Sequence, residues 1–299
     1  MLRFWQRRDE GGTDPAGIEL RGRVLGARPW LVLGGGGVKG LTHLGALRVL
    51  RDEGFEPAGI IGTSIGALVG ACVAAGMDLD QLVERASALE RTDVARVQRR
   101  AAWVSGFRAE ALFRGDTLRR YLAGILPPDG WEALDLRFQA NAVELGSGRT
   151  EWFGIGARTD VPLLDAVYAS AALPVFYPPV RLPGGVYADG GIEFALPVHR
   201  AVELGATSVI AIDPGAGERS RPGEVLAGGM LAVHARVFSI MSGRLRRASI
   251  LNWEGPPLHY IRPEIEGYGT FDFEHVADFI AEGERAMTEW LEQSPAVRS

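Results

Sequence analysis

Short, wholly apolar runs alternate along the chain with segments in which apolar residues recur at helical spacing. The runs at 29–33, 59–62 and 208–212 are bounded by glycine, proline or polar residues, which is typical of strands buried on both faces of a sheet. The other predicted strands are 137–143, 150–153, 180–182, 185–188 and 258–261, and the predicted helices are 40–53, 64–75, 79–89, 112–126, 162–171, 197–204, 226–247 and 273–292.

The order of these elements predicts an α/β fold with a mostly parallel central sheet that helices cover on both faces. A glycine-containing turn between 137–143 and 150–153 predicts a β-hairpin within it. We expect a single domain over residues 29–293. The polar, glycine-rich residues 1–28 are expected to be a loosely ordered leader, and residues 294–299 a short tail.

The composition is that of a globular protein, since 46% of the 299 residues are apolar and 23% are charged. A net charge of -5 lacks the basic excess of nucleic-acid-binding proteins, so no nucleic-acid partner is expected. The chain has one cysteine, Cys72, and therefore no internal disulfide. It displays neither a signal peptide nor an apolar stretch of membrane-spanning length. These features predict a cytoplasmic protein.

A candidate nucleophile lies where the second apolar run meets a helix of small residues. Gly62-Thr63-Ser64-Ile65-Gly66 fits the pattern G-x-S-x-G, which in a strand–turn–helix context marks a nucleophile elbow. Flanking glycines permit the sharp turn that exposes the serine hydroxyl, and the dipole of the following helix favours negative charge there. The alternative is a serine that caps a helix between two packing glycines. The context favours the nucleophile.

The glycine-rich segment 34–40 joins the first predicted strand to the first predicted helix. It matches G-x-G-x-x-G, but no acidic residue follows the second strand to bind a ribose, and Lys39 is not followed by the Ser or Thr of a phosphate loop. What remains is a row of backbone N–H groups at a helix N-terminus, which suits an oxyanion. The segment is therefore predicted to form an oxyanion hole. Lys39 either adds positive charge to it or faces solvent.

A serine nucleophile needs a base, and the residue pattern alone leaves that base open. Asp189 follows the short strand 185–188 and precedes two glycines, which allow a substrate to approach closely. The same Asp-Gly pair also fits an ordinary tight turn. The histidines lie in predicted helices or strands rather than in glycine-rich loops: His43, His199, His234, His259 and His275.

Four motifs in this order resemble those of the patatin-like phospholipases, and especially of small bacterial members related to the esterase domain of neuropathy target esterase. They are the segment 34–40, GTSIG at 62–66, ASAALP at 169–174 and DGG at 189–191, and the resemblance covers 29–212 clearly and the remainder loosely. The motif glycines that it includes, besides those of the oxyanion loop, are Gly40, Gly62, Gly66, Gly190 and Gly191.

The resemblance implies a three-layer α/β/α sandwich and a serine hydrolase that cleaves acyl esters of lipids without a metal or other cofactor. It also implies a catalytic dyad in which Ser64 is the nucleophile and Asp189 the base. The oxyanion hole would be formed by the backbone around Gly35, Gly36 and Gly37. A lipid or ester is the implied partner.

Three further segments bear on contact with lipid. Residues 173–180 are apolar and proline-rich, and either line an acyl groove or pack in the core. Residues 101–113 combine aromatic and basic side chains, as a flap that touches lipid would. The basic helix over 236–247 is more often a solvated face than a surface that lies on the anionic inner membrane. Peripheral membrane contact therefore stays a secondary expectation.

Two functions compete with ester hydrolysis. A regulatory or adaptor protein on the same fold would retain the motifs without turnover, and an acyltransferase would pass the acyl group to an alcohol other than water. The oligomeric state, the lipid head group and the acyl length are not encoded in any of these patterns.

Overall fold

The computed structural model describes residues 17–97, 110–215 and 222–293. The predicted strands are confirmed to within one or two residues. The strands are β1 (Ile18–Leu20), β2 (Arg23–Gly26), β3 (Pro29–Leu33), β4 (Gly59–Gly62), β5 (Phe138–Glu144), β6 (Thr150–Gly154), β7 (Val180–Leu182), β8 (Gly185–Asp189), β9 (Ser208–Ile212) and β10 (Leu258–Ile261).

The helices also follow the predicted order. They are α1 (Thr42–Asp52), α2 (Ile65–Ala74), α3 (Leu79–Ser87), α4 (Arg91–Val94), α5 (Gly115–Ile125), α6 (Leu163–Ala171), α7 (Val198–Glu203), α8 (Pro222–Ala227), α9 (Gly229–Leu251) and α10 (Val276–Glu292). The helix predicted over 226–247 is two helices, because the chain breaks at Gly228 and Gly229, and the φ of Gly229 is 68°. Short 3-10 turns lie at Gly37–Leu41, Gly130–Ala133 and Gly190–Ile192.

The central sheet is mixed. Its strands lie in the order β10-β9-β3-β4-β5-β8-β7, and β6 also pairs with β5. The pairs from β10 to β5 are parallel, whereas β6 and β8 run antiparallel to β5 and β7 runs antiparallel to β8. The predicted parallel arrangement of strands thus holds from β10 to β5, and the predicted hairpin of β5 and β6 begins the antiparallel part of the sheet.

Helices cover both faces of the sheet. In β3, Leu31 and Leu33 join the larger core with apolar residues of α1, α2 and α10. Trp30 and Val32 point to the opposite face and pack with residues of α7. Because alternate residues of a strand face opposite sides, one fully buried strand supplies both cores. The predicted three-layer α/β/α sandwich is confirmed.

β5 brings two distant chain segments together. Its residue Ala140 is paired with Gly62 at the end of β4, and its residue Ala142 with Asp189 at the end of β8. β6 pairs with residues 139–143 of β5 and so occupies the other edge. A strand has only two edges, so β4 and β8 end facing each other along the same edge of β5. The residues that follow β4 therefore meet Asp189.

The expectation of a loosely ordered leader is wrong for residues 18–26, which form the antiparallel strands β1 and β2. Leu20 and Leu25 of this hairpin are buried in the larger core. Arg23 donates a hydrogen bond to the carbonyl of Leu291 at 3.1 Å and stacks over the ring of Trp290. The hairpin thus closes over the end of α10. Residues 1–16 and the predicted tail 294–299 lie outside the described residues.

Two glycines set the distance between α1 and α10. A Cβ atom on Gly45 of α1 would lie 1.9 Å from the carbonyl oxygen of Ile280, and one on Gly283 of α10 would lie 1.9 Å from that of Thr42. Both contacts are far inside van der Waals distance, and both partners are backbone atoms of a packed helix. The helix pair holds the start of α1, and with it the glycine-rich segment, against the sheet.

We expect Gly45→Ala to lower the free energy of unfolding by about 1–3 kcal/mol, because the added methyl group forces the two helices apart. Thermal unfolding followed by circular dichroism measures this as a lower melting temperature. Gly124→Ala in α5 is the matched control, since its added Cβ would meet nothing within 4 Å beyond the adjacent backbone of its own helix. Alanine there raises helix propensity and should stabilise by up to about 1 kcal/mol. Equal melting of Gly45→Ala and wild type would contradict the packing argument.

Candidate active site

Ser64 lies in the sharp turn between β4 and α2. Its φ of 58° and ψ of -123° are a conformation that non-glycine residues rarely adopt. A Cβ on Gly62 would lie 2.3 Å from the carbonyl oxygen of Gly66, and one on Gly66 would lie 2.1 Å from that of Leu33. Glycine at both positions is therefore required for the turn to form. The predicted elbow geometry is confirmed.

The main chain of Ser64 is held by a residue from α6. The Ser64 N–H donates a hydrogen bond to Ser170 Oγ at 3.0 Å, and Ser170 is fully buried. Ser170 belongs to the ASAALP motif, whose contribution to the site is otherwise not apparent from sequence. The hydroxyl of Ser170 thus fixes the position of the elbow against the helix that leads toward β7.

Asp189 ends β8 beside this elbow and is only 2% exposed. Its Oδ1 accepts a hydrogen bond from the N–H of Gly191 at 2.7 Å, which accounts for part of the DGG motif. Burial raises the pKa of the Asp189 carboxyl to about 6, against the opposing effects of the Gly191 N–H, the Ser64 hydroxyl and Arg246. A carboxylate with this pKa accepts a proton more readily than an exposed aspartate does.

The structure brings Ser64 and Asp189 together. The hydroxyl of Ser64 is near enough to lower the pKa of the Asp189 carboxyl. Oδ2 of Asp189 has no hydrogen-bond partner of ordinary geometry among the described residues, so the hydroxyl and Oδ2 are not yet in a well-aligned bond. Hydrogen bonds between catalytic groups are often long or poorly aligned before substrate binds. Oδ2 is thus the carboxyl oxygen of Asp189 that no donor among the described residues occupies.

Asn141 of β5 links the two segments and was not identified from the sequence. Thr63 Oγ1 donates to Asn141 Oδ1 at 2.8 Å, and Asn141 Nδ2 donates to the carbonyl of Gly190 at 3.2 Å. Asn141 is fully buried. It therefore connects the neighbour of Ser64 to the neighbour of Asp189. An asparagine within an otherwise apolar strand was the available signal, because buried polar groups need partners.

The glycine-rich segment lies directly against Ser64. A Cβ on Gly35 would lie 3.3 Å from the Cβ of Ser64. The N–H of Gly35 donates to the carbonyl of Ala195 at 2.9 Å, so the expectation that Gly35 supplies an oxyanion donor does not fit. Among the described residues, the N–H groups of Gly36 and Gly37 have no hydrogen-bond acceptor. These two donors remain available to a ligand.

Two buried side chains fix the direction of this segment. His43 Nε2 bonds to the carbonyl of Gly34 at 2.8 Å, and burial lowers the pKa of His43 to about 4, so the ring is neutral and Nε2–H is the donor. Arg246 from α9 donates to the carbonyl of Gly35. Because a trans peptide is planar, the N–H of Gly36 points away from that carbonyl and from Arg246. Arg246 thereby sets the orientation of one free donor.

Arg246 is itself held within the protein. Its Nε lies 3.1 Å from Asp213 Oδ1, and its Nη1 donates to Ser242 Oγ at 2.9 Å. Asp213 also accepts from the hydroxyl of Tyr260 at 2.9 Å. Arg246 is 6% exposed, so this arginine of the 236–247 helix is not part of a solvated face, contrary to the favoured interpretation of the basic residues there.

Lys39 does not face solvent, since its side chain is only 3% exposed and lines the cavity described next. Burial, together with a smaller repulsion from Arg246, lowers its pKa to about 8. At neutral pH the ammonium group still carries most of its charge. Together with Arg246 it places positive charge beside the free N–H groups of the segment. The first of the two alternatives for Lys39 is the one the structure supports.

The remaining motif glycines occupy close contacts. A Cβ on Gly40 would lie 2.0 Å from Ile65 Cγ2, and one on Gly190 would lie 2.4 Å from the side chain of Asn141. Gly191 is buried and donates to Asp189. These glycines let the segment, the elbow and the end of β8 approach one another.

An apolar cavity opens from Ser64 and Asp189. Its walls include Cys72, Leu122, and Phe176 and Tyr177 from the proline-rich segment. Both aromatic residues also belong to the larger core. The two interpretations of residues 173–180 therefore both hold, because the segment packs in the core and lines the cavity. Most of the predicted flap over 101–113 lies outside the described residues.

The histidines are placed differently from Asp189. His199 stacks on Trp253, His259 packs on Trp290, and His275 pairs with Asp272 at 2.8 Å. His43 holds the glycine-rich segment, as described above. His234 of α9 lines the cavity, and its Nε2 has no partner among the described residues. His234 is the histidine to compare with Asp189 as a base.

Within the described residues, no three His, Cys, Asp or Glu side chains cluster in the way a metal ion requires. The described helices include none with the length and apolar character to cross a bilayer.

Comparison with known proteins gives several relatives. An uncharacterized NTE family protein of Mycobacterium tuberculosis is 32% identical over 198 residues, which cover 66% of this chain and 52% of the relative. The lysophospholipase NTE1 of Coccidioides immitis is 27% identical over 292 residues, which cover 92% of this chain and 18% of the relative. The chain thus spans about half the length of the mycobacterial relative and less than a fifth of the fungal one.

Among solved structures, VipD from Legionella pneumophila aligns with 88% of this chain and 66% of its own, with a TM-score of 0.47 and 15% identity. A sequence model described as patatin-like phospholipase matches residues 31–202. That range is more than half of the chain and holds the elbow, the glycine-rich segment and the end of β8. The chain therefore belongs to the patatin-like phospholipase family.

Proposed function

We propose that the protein is a serine acyl-hydrolase that cleaves lipid carboxylic esters by means of a Ser64–Asp189 dyad. The observation that carries this proposal is the position of a strained, elbow-held serine beside a buried carboxyl whose pKa is raised to about 6. Both groups open into an apolar cavity. A lysophospholipid or a similar single-chain ester suits such a cavity, and the fungal relatives carry the name lysophospholipase.

In the acylation step, Ser64 Oγ attacks the carbonyl carbon of the ester and Asp189 Oδ2 accepts the hydroxyl proton. The carbonyl oxygen becomes an oxyanion, which accepts hydrogen bonds from the N–H groups of Gly36 and Gly37. The bond from carbon to the alcohol oxygen then breaks. The alcohol leaves with the proton from Asp189, and the acyl group stays on Ser64.

In the second step, water attacks the acyl-enzyme. Asp189 accepts one proton of the water, the same N–H groups hold the oxyanion, and the bond to Ser64 Oγ breaks. The proton returns to Ser64, and the fatty acid is released. Lys39 and Arg246 add positive charge near the oxyanion, while Arg246 keeps the peptide between Gly35 and Gly36 in its orientation.

Release of fatty acid from a lysophospholipid, a diacyl phospholipid and a short-chain nitrophenyl ester tests this function directly. We expect hydrolysis of the short ester and of at least one of the two lipids. An acyl ester formed with an added alcohol, at the expense of fatty acid, would identify an acyltransferase. Absence of turnover on all three would favour a regulatory or adaptor protein.

The acid side of the pH profile should report Asp189. We expect kcat/KM for the short ester to rise about tenfold per pH unit below pH 6 and to level off above it, because only the deprotonated carboxylate accepts the Ser64 proton. Burial is the cause of the raised value, so the midpoint should lie near 6 rather than near 4. Initial rates in a series of buffers of constant ionic strength measure it. A profile flat from pH 4 to 8 would exclude this carboxyl as the base.

A further inference from the structure

The two helices α8 and α9 expose an unusual amount of apolar surface. Elsewhere in the described residues, large apolar side chains that are exposed occur one at a time, at Val24, Val97, Leu145, Ile155 and Val202. Within 226–251 there are nine: Leu226, Met230, Leu231, Val233, Val237, Ile240, Met241, Leu245 and Leu251. Scattered single residues need no explanation, whereas a contiguous patch indicates an interaction surface.

Most of these side chains share one face of α9. Met230, Val233, Val237 and Met241 are spaced by three or four residues, which places them in a row along the helix. Met230 is 77% exposed and Met241 is 57% exposed, so the row faces outward rather than into either core. An ordinary surface helix turns its apolar face toward the core, whereas α9 has an apolar row on its exposed side.

The inner face of α9 lines the candidate active site. His234, Phe238, Ser242 and Arg246 border the cavity that opens from Ser64. One helix thus separates the cavity from the exterior, with cavity-lining residues on one side and the apolar row on the other. An apolar ligand bound at the outer face of α9 would therefore lie only about one helix diameter from the cavity.

The charge of this segment differs from that of the whole chain. Residues 225–253 contain no aspartate or glutamate and four arginines, although the chain as a whole has a net charge of -5. Arg244 and Arg247 are exposed, and Arg244 lies near the apolar row. An apolar face flanked by arginines is complementary to a bilayer with anionic head groups.

We propose that the outer face of α9 docks on the surface of an anionic lipid bilayer, with α9 parallel to the membrane plane. This inference rests on the proposed function, for which it supplies the route of a lipid substrate from the bilayer to the cavity. The side chains from Met230 to Met241 insert between the lipid head groups. Arg244 and Arg247 contact the anionic lipids around them.

Flotation of the 299-residue chain with vesicles tests the docking surface. Wild type should float with phosphatidylglycerol-containing vesicles and bind pure phosphatidylcholine vesicles at least tenfold more weakly. The triple variant Met230→Ser, Val237→Ser, Met241→Ser should lose at least tenfold in affinity for the anionic vesicles, because its apolar row is removed. The control variant Val24→Ser, Leu145→Ser, Ile155→Ser removes equally exposed apolar residues elsewhere and should bind as wild type does.

A charge-reversed variant, Arg244→Glu with Arg247→Glu, provides a second test that leaves the apolar row intact. It should also lose at least tenfold in binding to anionic vesicles and little on neutral ones. Equal loss in the Val24, Leu145 and Ile155 control, or no binding by wild type, would overturn the proposal. So would a wild-type dimer that the triple variant converts to monomer without any change in vesicle binding.

Hydrolysis of the short soluble ester separates this inference from the proposed function. The triple variant should hydrolyse that ester at the wild-type rate and lose activity only on lipid presented in vesicles. If wild type hydrolyses the short ester but does not bind vesicles, the docking proposal fails while the hydrolase stands. If wild type binds vesicles through α9 but hydrolyses no ester, the proposed function fails instead.

Discussion

Ser64→Ala should reduce ester hydrolysis by a factor of about 10⁵ or more, and should abolish labelling by a fluorophosphonate probe. The hydroxyl is the proposed nucleophile, and removal of a serine nucleophile in a hydrolase has an effect of this size. The fold should persist, because the bond that holds the elbow uses the N–H of residue 64 rather than its hydroxyl. Alanine at φ 58° is no more strained than serine.

Ser87→Ala is the matched control, since Ser87 is an exposed serine at the end of α3. It should keep wild-type activity and labelling. Labelling that persists in Ser64→Ala would assign the nucleophile to another residue. A melting temperature that falls sharply would mean that the loss of activity reflects unfolding.

Asp189→Asn should lower kcat by about 10²–10⁴-fold, which is the usual contribution of a general base. The amide is nearly the same size, and its oxygen still accepts the Gly191 N–H. The asparagine amide cannot take the proton of Ser64. The fall in activity below pH 6 should disappear from whatever activity remains. A displaced Ser64 alone would lower the rate without removing this pH dependence. Activity against pH for both proteins measures the two effects.

Stability should move in the opposite direction from activity. The folded pKa of Asp189, about 6, lies above its unfolded value, so the folded state retains the proton that the unfolded state releases. Stability is thus greatest below the unfolded pKa and is lost as pH rises through 6. Asparagine does not ionise, so the variant should be more stable than wild type at pH 8, by up to about 3 kcal/mol, and the difference should vanish toward pH 3.

His234→Ala is the comparison that decides between the two kinds of base. His234 lines the same cavity, but the dyad assigns it no proton transfer. We expect it to keep most of its activity on the short ester. Loss of activity in His234→Ala with retention in Asp189→Asn would overturn the dyad in favour of a histidine base.

The parts of the site that sequence reasoning identified are those encoded locally. The elbow at Ser64 is a strand, a glycine-flanked turn and a helix within one short segment, and local sterics suffice to predict it. The same holds for β3 and for the glycine-rich segment after it. The residues around Asp189 also fit a tight turn, so sequence reasoning assigned Asp189 as the base only through the family resemblance. Its burial beside Ser64 depends on contacts that the local pattern does not encode.

The parts that sequence reasoning missed depend on contacts between distant segments. Arg246 is one of several arginines in α9, and nothing local marks it as the one that reaches the Gly35 carbonyl. Asn141 becomes meaningful only when β4 and β8 are known to end on the same edge of β5. The N–H of Gly35 resembles its neighbours in sequence, and only the carbonyl of Ala195 removes it from the set of free donors.

The meeting of β4 and β8 on β5 also has a consequence for how the protein acquires activity during folding. Ser64 can adopt its elbow as soon as β3, β4 and α2 have formed, but Asp189 reaches it only after both β4 and β8 have paired with β5, and each pairing closes a long loop. Pairings of high sequence separation form late, because the entropy of loop closure must be overcome first. We therefore expect recovery of the proposed ester hydrolysis during refolding to require both pairings with β5, and to lag behind the return of helical structure.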